Sequence, residues 1–161
     1  MARRRGKRAF LKQVADELPS HLPPKLRGFD AEQWGSFYKV WYDRKQIHFE
    51  VQFLRNGRLE IGLHMEADTE TNDRVTSALE RKSSAILKSL GSDTKFGAHG
   101  PGWRSIGETW SGGDLRSEDA ATEAAARLGE YVTVLTPLLR SAVRSSAAGG
   151  AEPRSGRTPT R

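Results

Sequence analysis

Residues 36–66 read SFYKVWYDRKQIHFEVQFLRNGRLEIGLHME, and their alternation decides the fold. Period-two patterning over β-branched and aromatic residues predicts three strands, within SFYKVWYD, QIHFEVQFL and RLEIGLHME. The link Arg55-Asn56-Gly57 is a hairpin signal. A two-residue Asn-Gly loop would set Phe53 opposite Glu60 and mix apolar with polar faces. A three-residue loop with Gly57 left-handed instead pairs Phe53 with Leu59, Val51 with Ile61 and Phe49 with Leu63. Every apolar residue then falls on one side, so the three-residue loop is the expected one. The same logic pairs Tyr42 with Ile47 and Val40 with Phe49 across the Asp43–Gln46 turn. The opposite face carries Phe37, Lys39, Trp41, His48, Glu50, Gln52, Glu60, Gly62, His64 and Glu66.

Outward from this meander, Phe10, Leu11, Val14 and Leu18 sit at helical spacing and predict a first helix over 7–18, ended by Pro19. Ser20 to Asp30, with Pro23 and Pro24, reads as an extended connector. A helix is expected from Asn72 to Leu90, with Gly91 as its C-terminal glycine. Lys95–Gly102 reads as a glycine-rich loop and Trp103–Trp110 as a fourth strand, broken by Ser111-Gly112-Gly113. Ser117 then caps a long helix whose apolar stripe runs from Ala121 to Val143, with Pro137 expected to kink or break it. The order α-β-β-β-α-β-α makes an α+β fold, a mainly antiparallel sheet with helices packed on one face. The expected division is a basic arm over 1–6, one domain over 7–145 and a disordered basic tail over 146–161.

Charge is unevenly placed. The 161 residues carry +6 overall. Residues 1–12 hold six bases (Arg3, Arg4, Arg5, Lys7, Arg8, Lys12) and no acid, while residues 140–161 hold five bases and one acid. The stretch between them is therefore net −4. Any attraction for a polyanion is expected at the two ends, as salt-sensitive, sequence-independent contact with nucleic acid. The absence of cysteine excludes disulfides, thiolate metal sites and cysteine nucleophiles. No apolar run reaches the ~20 residues of a membrane span, and no signal-peptide core follows the Arg-rich start, so a cytoplasmic protein without membrane contact is expected.

The polar face of the meander holds the candidate residues. Its rows are Trp41–His48–His64, Lys39–Glu50–Gly62 and Phe37–Gln52–Glu60, with directly opposed Cβ atoms ~5 Å apart. Two imidazoles at that distance, with Glu50 and Glu66 on the diagonals, match the donor types of a zinc or manganese site. The reading preferred from sequence is a solvated face of ordinary cross-strand pairs. A metal needs convergent ligands and a second shell, and no close ligand spacing supplies them. Phe37 and Trp41 have no place on a solvated face, so a cover is expected over them, from the chain itself, a protein partner, a second copy or a ligand. Phe37, Trp41, His48, Glu50 and His64 are accordingly the expected partner or ligand face, with no metal or cofactor assigned.

The α-β-β-β-α-β order is also that of restriction-type endonucleases. Their sites need two acids and a Lys, usually as acid-x-Lys on the third strand. Here Glu60-Ile61-Gly62 puts a glycine in the Lys position, Glu50-Val51-Gln52 lies one strand early, and Lys82 would have to reach in from a helix. GAHGPG at 97–102 lacks the Lys-Ser/Thr of a P-loop, and His21 and His99 have no acid or nucleophile beside them. No catalytic residue is assigned.

From Arg58 onward, RLEIGLHMEADTETNDRVTSALERKSSAILKSLG, GWRSIGETW and LGEYVTVLTPLLRS resemble the C-terminal part of an uncharacterised bacterial domain. That domain is sometimes found beside predicted restriction-type endonucleases. Arg104-Ser105-Ile106 and Leu135-Thr136-Pro137-Leu138-Leu139 occupy its last two motifs. The resemblance implies the same fold and a nucleic-acid setting, and carries no catalytic residue. The expected function is a non-enzymatic binding or accessory module in a nucleic-acid-related system. A protein-interaction or homo-oligomerisation domain is the first alternative, and a degenerate or active Mg²⁺ nuclease the second.

Overall fold

In the computed structural model, the alternation of residues 36–66 is realised as three adjacent strands of a six-stranded sheet. The structure describes residues 6–98, 100–110 and 117–149. Its strands are β1 (Asp30–Trp34), β2 (Phe37–Trp41), β3 (Ile47–Phe53), β4 (Leu59–Met65), β5 (Lys95–Ala98) and β6 (Arg104–Trp110). They lie in the order β1-β2-β3-β4-β6-β5, every pair antiparallel. The helices are α1 (Lys7–Glu17), α2 (Thr69–Glu80), α3 (Ser83–Leu90) and α4 (Glu118–Gly149). The α+β class and the antiparallel sheet agree with the sequence reading.

The hairpin register is the one the apolar pattern selects. Phe53 pairs with Leu59, Val51 with Ile61, Phe49 with Leu63 and Val40 with Phe49. Gly57 takes φ +79° inside the Arg55-Asn56-Gly57 loop, which Leu54 N closes by donating to Arg58 O at 2.8 Å. Only glycine adopts that backbone without strain, so the loop length and the register are set together. The apolar face packs on α1 and α4, burying Phe10, Leu11 and Val14 from α1 with Leu128, Val132 and Leu135 from α4.

Several elements differ from the sequence reading. Residues 30–34 form an edge strand where the sequence reading ends a connector at Asp30 and assigns nothing to 31–35, and 18–26 hold two short 3-10 turns (Leu18–His21, Pro24–Leu26) where a helix end and extended chain are expected. Asp30-Ala31-Glu32-Gln33-Trp34 contains no β-branched residue, and it pairs because β2 offers it an open edge. Lys95–Ala98, expected as loop, is the opposite edge strand. The expected single helix over 72–90 starts at Thr69, capped by Asp68, and breaks at Arg81-Lys82 with no Gly or Pro to mark it. Gly91 does close α3, at φ +97°.

α4 runs through Pro137 without a break and on to Gly149, past the expected end at 145. Pro137 and Thr133 both lie on the exposed side, so the carbonyl left without its N–H partner can face water. Ser117 caps the helix as expected, accepting from Ala120 N at 3.1 Å. The Ser111-Gly112-Gly113 break, His99, Arg3, Arg4 and Arg5, and the tail from 150 onward lie outside the described residues. Among the described residues no helix is long and apolar enough to cross a membrane.

Two tertiary clasps hold the helix layer to the sheet. Asn72, fully buried, accepts from Ala67 N and donates to Ala67 O and Gly102 O, tying the start of α2 to the β5–β6 turn. Glu108 of β6 receives Arg127 Nε at 2.5 Å and Tyr131 Oη at 3.0 Å from α4, while Arg127 also bonds the Leu90 carbonyl at the end of α3.

Gly62 of β4 and Gly107 of β6 face each other across the two strands. A Cβ on Gly62 would lie 2.4 Å from the Ile106 carbonyl oxygen, and one on Gly107 2.5 Å from that of Ile61. Both obstacles are backbone, so neither can rotate away. Gly62→Ala is expected to lower stability by about 1–3 kcal/mol, the usual cost of forced overpacking, and to lower the urea midpoint with an unchanged m-value. An unaltered midpoint would show that the two strands separate freely.

Candidate functional site

The face of the sheet away from the helices is where the sequence placed its candidates; the register delivers the His48–His64, Lys39–Glu50–Gly62 and Phe37–Gln52–Glu60 rows, while the β2–β3 pairing ends at Val40 with Phe49, before Trp41. His48 faces His64, Glu50 faces Lys39 on one side and Gly62 on the other, and Gln52 faces Phe37 and Glu60. What the sequence missed is their burial. His48 and His64 are each 1% exposed and Glu50 is 6% exposed, so this part of the face is not solvated. The physical reason is crowding by its own neighbours. Lys45 Nζ lies 5.5 Å from the Trp41 ring centre, Lys39 Nζ lies 4.8 Å from that of Phe37, and Glu60 and Glu66 are only partly exposed. The expected cover over Phe37 and Trp41 is thus supplied in part by lysine side chains of the same strands and turn, which leave both rings half-buried.

Buried ionisable groups need partners, and these find one another. Glu50 Oε2 is 2.8 Å from His64 Nδ1 and 3.2 Å from His48 Nε2. His64 Nδ1 is also 3.7 Å from Glu66 Oε1. The remaining nitrogen of each ring is held from outside this group. His48 Nδ1 donates to the Lys45 carbonyl at 2.9 Å, and His64 Nε2 donates to Glu60 Oε1 at 2.6 Å. The two ring centres are 5.6 Å apart. One donor atom from each of His48, Glu50, His64 and Glu66 lies within 4.8 Å of the others, so among the described residues these four form a group that could hold a metal ion.

The electrostatics follow from burial working against pairing. Burial by itself would raise the Glu50 carboxyl, but hydrogen bonds from His48 and His64 outweigh it and hold it at about 2. Burial would likewise lower the His64 imidazole, and its bonds to Glu50, Glu60 and Glu66 raise it to about 11. Glu66 is held below its usual value chiefly by His64.

Beside this cluster, Glu60, His64, Lys95, Gly97, Ser105, Gly107 and Thr109 line a shallow trough of about 150 Å³. Two of its lining residues, Gly97 and Gly107, contribute no side chain to it. Lys95 Nζ bonds the Ser92 carbonyl at 3.2 Å. The sequence does not mark Lys95, because Lys95–Ala98 carries no strand signal that would set it across from β6, and it does not mark Ser105, an ordinary polar position of the expected fourth strand.

The basic residues form a second place of interest. Lys7, Arg8 and Lys12 are exposed on α1. Arg8 and Lys12 line a cleft of about 520 Å³ with Gln33, Trp34 and Gly35 of the β1–β2 hairpin. Gln33 Nε2 donates to the Arg8 carbonyl at 3.1 Å, which fixes the hairpin against the helix. Trp34 is 62% exposed, with its Nε1 donating to Glu32 Oε1 at 2.5 Å. Sequence reasoning did not single out Trp34, although a Trp-Gly pair after an apolar-poor segment was the available signal.

The buried network sets a pH dependence. The depressed Glu50 stabilises the fold above its ordinary value near 4.5, and that contribution is lost as pH falls toward about 2. The raised His64 stabilises below its ordinary value near 6.5, and that contribution is lost as pH rises toward about 11. Both are therefore complete between about pH 4.5 and 6.5. In buffer containing EDTA, Glu50→Gln is expected to cost about 1–3 kcal/mol at pH 6 and to flatten the acid limb of the urea-midpoint profile. An acid limb as steep as the wild type's would remove Glu50 as its source. No protein-family model, curated protein or solved structure matches this chain, so the reading of both sites rests on their geometry.

Proposed function

We propose that this chain is a non-enzymatic binding module that holds single-stranded nucleic acid at the cleft between α1 and the β1–β2 hairpin. One observation carries the reading: an exposed indole, Trp34, shares a cleft with two exposed bases, Arg8 and Lys12. An exposed aromatic offers a stacking surface to any base, and flanking cations offer contacts to phosphate. Arg3, Arg4 and Arg5 immediately precede α1 in the chain and extend the positive charge at that end. Lys12 pairs with Asp16 at 2.8 Å, but both are largely exposed, and such a pair is weak enough for a phosphate to displace.

Other features weigh against the two alternatives. The Lys position of a restriction-type third strand falls at Gly62, where the β6 backbone leaves no room even for a Cβ. The stripe of α4 through Ala121, Ala124, Leu128, Val132 and Leu135 is spent on the core of this chain, which disfavours the long helix as an oligomerisation surface.

Fluorescence anisotropy with labelled single-stranded DNA and RNA, against a duplex control, tests the reading. Single strands are expected to bind in preference to the duplex. Trp34→Ala is expected to weaken binding by about 1–3 kcal/mol, as for loss of one stacked base. Arg8→Gln and Lys12→Gln should each reduce the salt slope by about 1. Deletion of 1–5 should weaken binding further, and deletion of 150–161 reports whether the other basic end takes part. Binding that is absent, or unchanged in Trp34→Ala, rules the cleft out.

A further inference from the structure

We infer that His48, Glu50, His64 and Glu66 form a binding site for one divalent transition-metal ion of the zinc or manganese class. The inference is independent of the nucleic-acid reading, since the residues lie on other strand positions and share no side chain with the Trp34 cleft.

The first argument is distance. A four-coordinate ion with bonds of about 2.1 Å needs donor atoms about 3.4 Å apart. Separations of 2.8 Å (His64 to Glu50), 3.2 Å (His48 to Glu50) and 3.7 Å (His64 to Glu66) bracket that value, and no two of the four donor atoms are more than 4.8 Å apart. Small side-chain adjustments therefore suffice to bring the four donors to one ion.

The second argument is the outer shell. An imidazole that binds metal through one nitrogen usually donates from the other to a carbonyl or carboxylate, which fixes its ring orientation. Both rings do so here, and to groups outside the four ligands: His48 Nδ1 to the Lys45 carbonyl, His64 Nε2 to Glu60. The nitrogens left over, Nε2 of His48 and Nδ1 of His64, are the two that converge on Glu50 Oε2. A carbonyl oxygen can only accept, so the Lys45 contact alone orients the His48 ring with Nε2 toward the cluster.

The third argument concerns rigidity and access. The ligands stand on β3 and β4, whose register fixes the His48–His64 and Glu50–Gly62 rows, and Glu66 follows directly after β4 with its N–H donating to Gln46 O at 2.8 Å. Of the four ligands, His64 also lines the trough beside Gly97 and Gly107, and Glu66 is the one that is partly exposed. Two imidazoles and two carboxylates suit zinc and manganese, and the absence of sulfur disfavours copper(I) and iron–sulfur chemistry.

The test is calorimetric titration of the full chain, stripped with chelator, with Zn²⁺ and separately with Mn²⁺, each variant first checked by circular dichroism for a native fold. One ion per chain is expected, zinc tighter than manganese. His48→Gln and Glu66→Gln should each weaken binding at least about tenfold. Glu66 is the least buried ligand, so its variant keeps the test open if His48→Gln fails to fold. Glu60→Ala removes no ligand and should weaken binding about 10–100-fold with the stoichiometry retained, which identifies Glu60 as a positioning residue. His21→Gln should bind as the wild type does. No saturable uptake of either ion, or undiminished affinity in Glu66→Gln, overturns the inference.

Discussion

The pairing of β3 with β4 is the constraint on which the rest of this structure depends. A left-handed Gly57 closes a three-residue loop, and from that point every alternate residue is committed to one face. A slip of one residue would turn Phe49, Val51, Ile61 and Leu63 to the outside and His48, Glu50 and His64 into the helix layer. Either displacement is far more costly than the turn itself. The apolar core and the imidazole–carboxylate cluster are therefore two consequences of the same register.

The outer face of the sheet holds buried charge by pairing it. His48, Glu50 and His64 lose solvent to one another and to the side chains around them, and they replace it with short contacts. Buried ion pairs of this kind seldom stabilise a fold more than apolar packing of the same volume would. The arrangement thus invites a role beyond stability, and the donor geometry supplies the metal reading. The close approach of Gly62 and Gly107 is part of the same design. A Cβ on either would strike the backbone of the other strand, and Gly107 also lines the trough beside the cluster.

Much of this was legible in the residues. The central hairpin, its loop length and the rows His48–His64 and Lys39–Glu50–Gly62 follow from alternation, because apolar and polar residues alternate at every position of these strands. The edge strands were hidden for the complementary reason. Asp30–Trp34 and Lys95–Ala98 each have one hydrogen-bonded neighbour and little burial, so their composition carries no strand signal. The break between α2 and α3 leaves no mark either, since Arg81 and Lys82 are ordinary helix formers.

The sequence by itself determined which residues share a face, because the strand period is a local property of the chain. It also determined that positive charge gathers at the ends rather than over the body. Only the tertiary structure decided that the polar face is buried at its centre and that Glu50 sits between two imidazoles. It also decided that Trp34 stands beside Arg8 and Lys12. Burial and convergence depend on how far side chains from separate strands and helices reach toward each other. Distances of that kind arise when the layers pack, and no period along a single segment contains them.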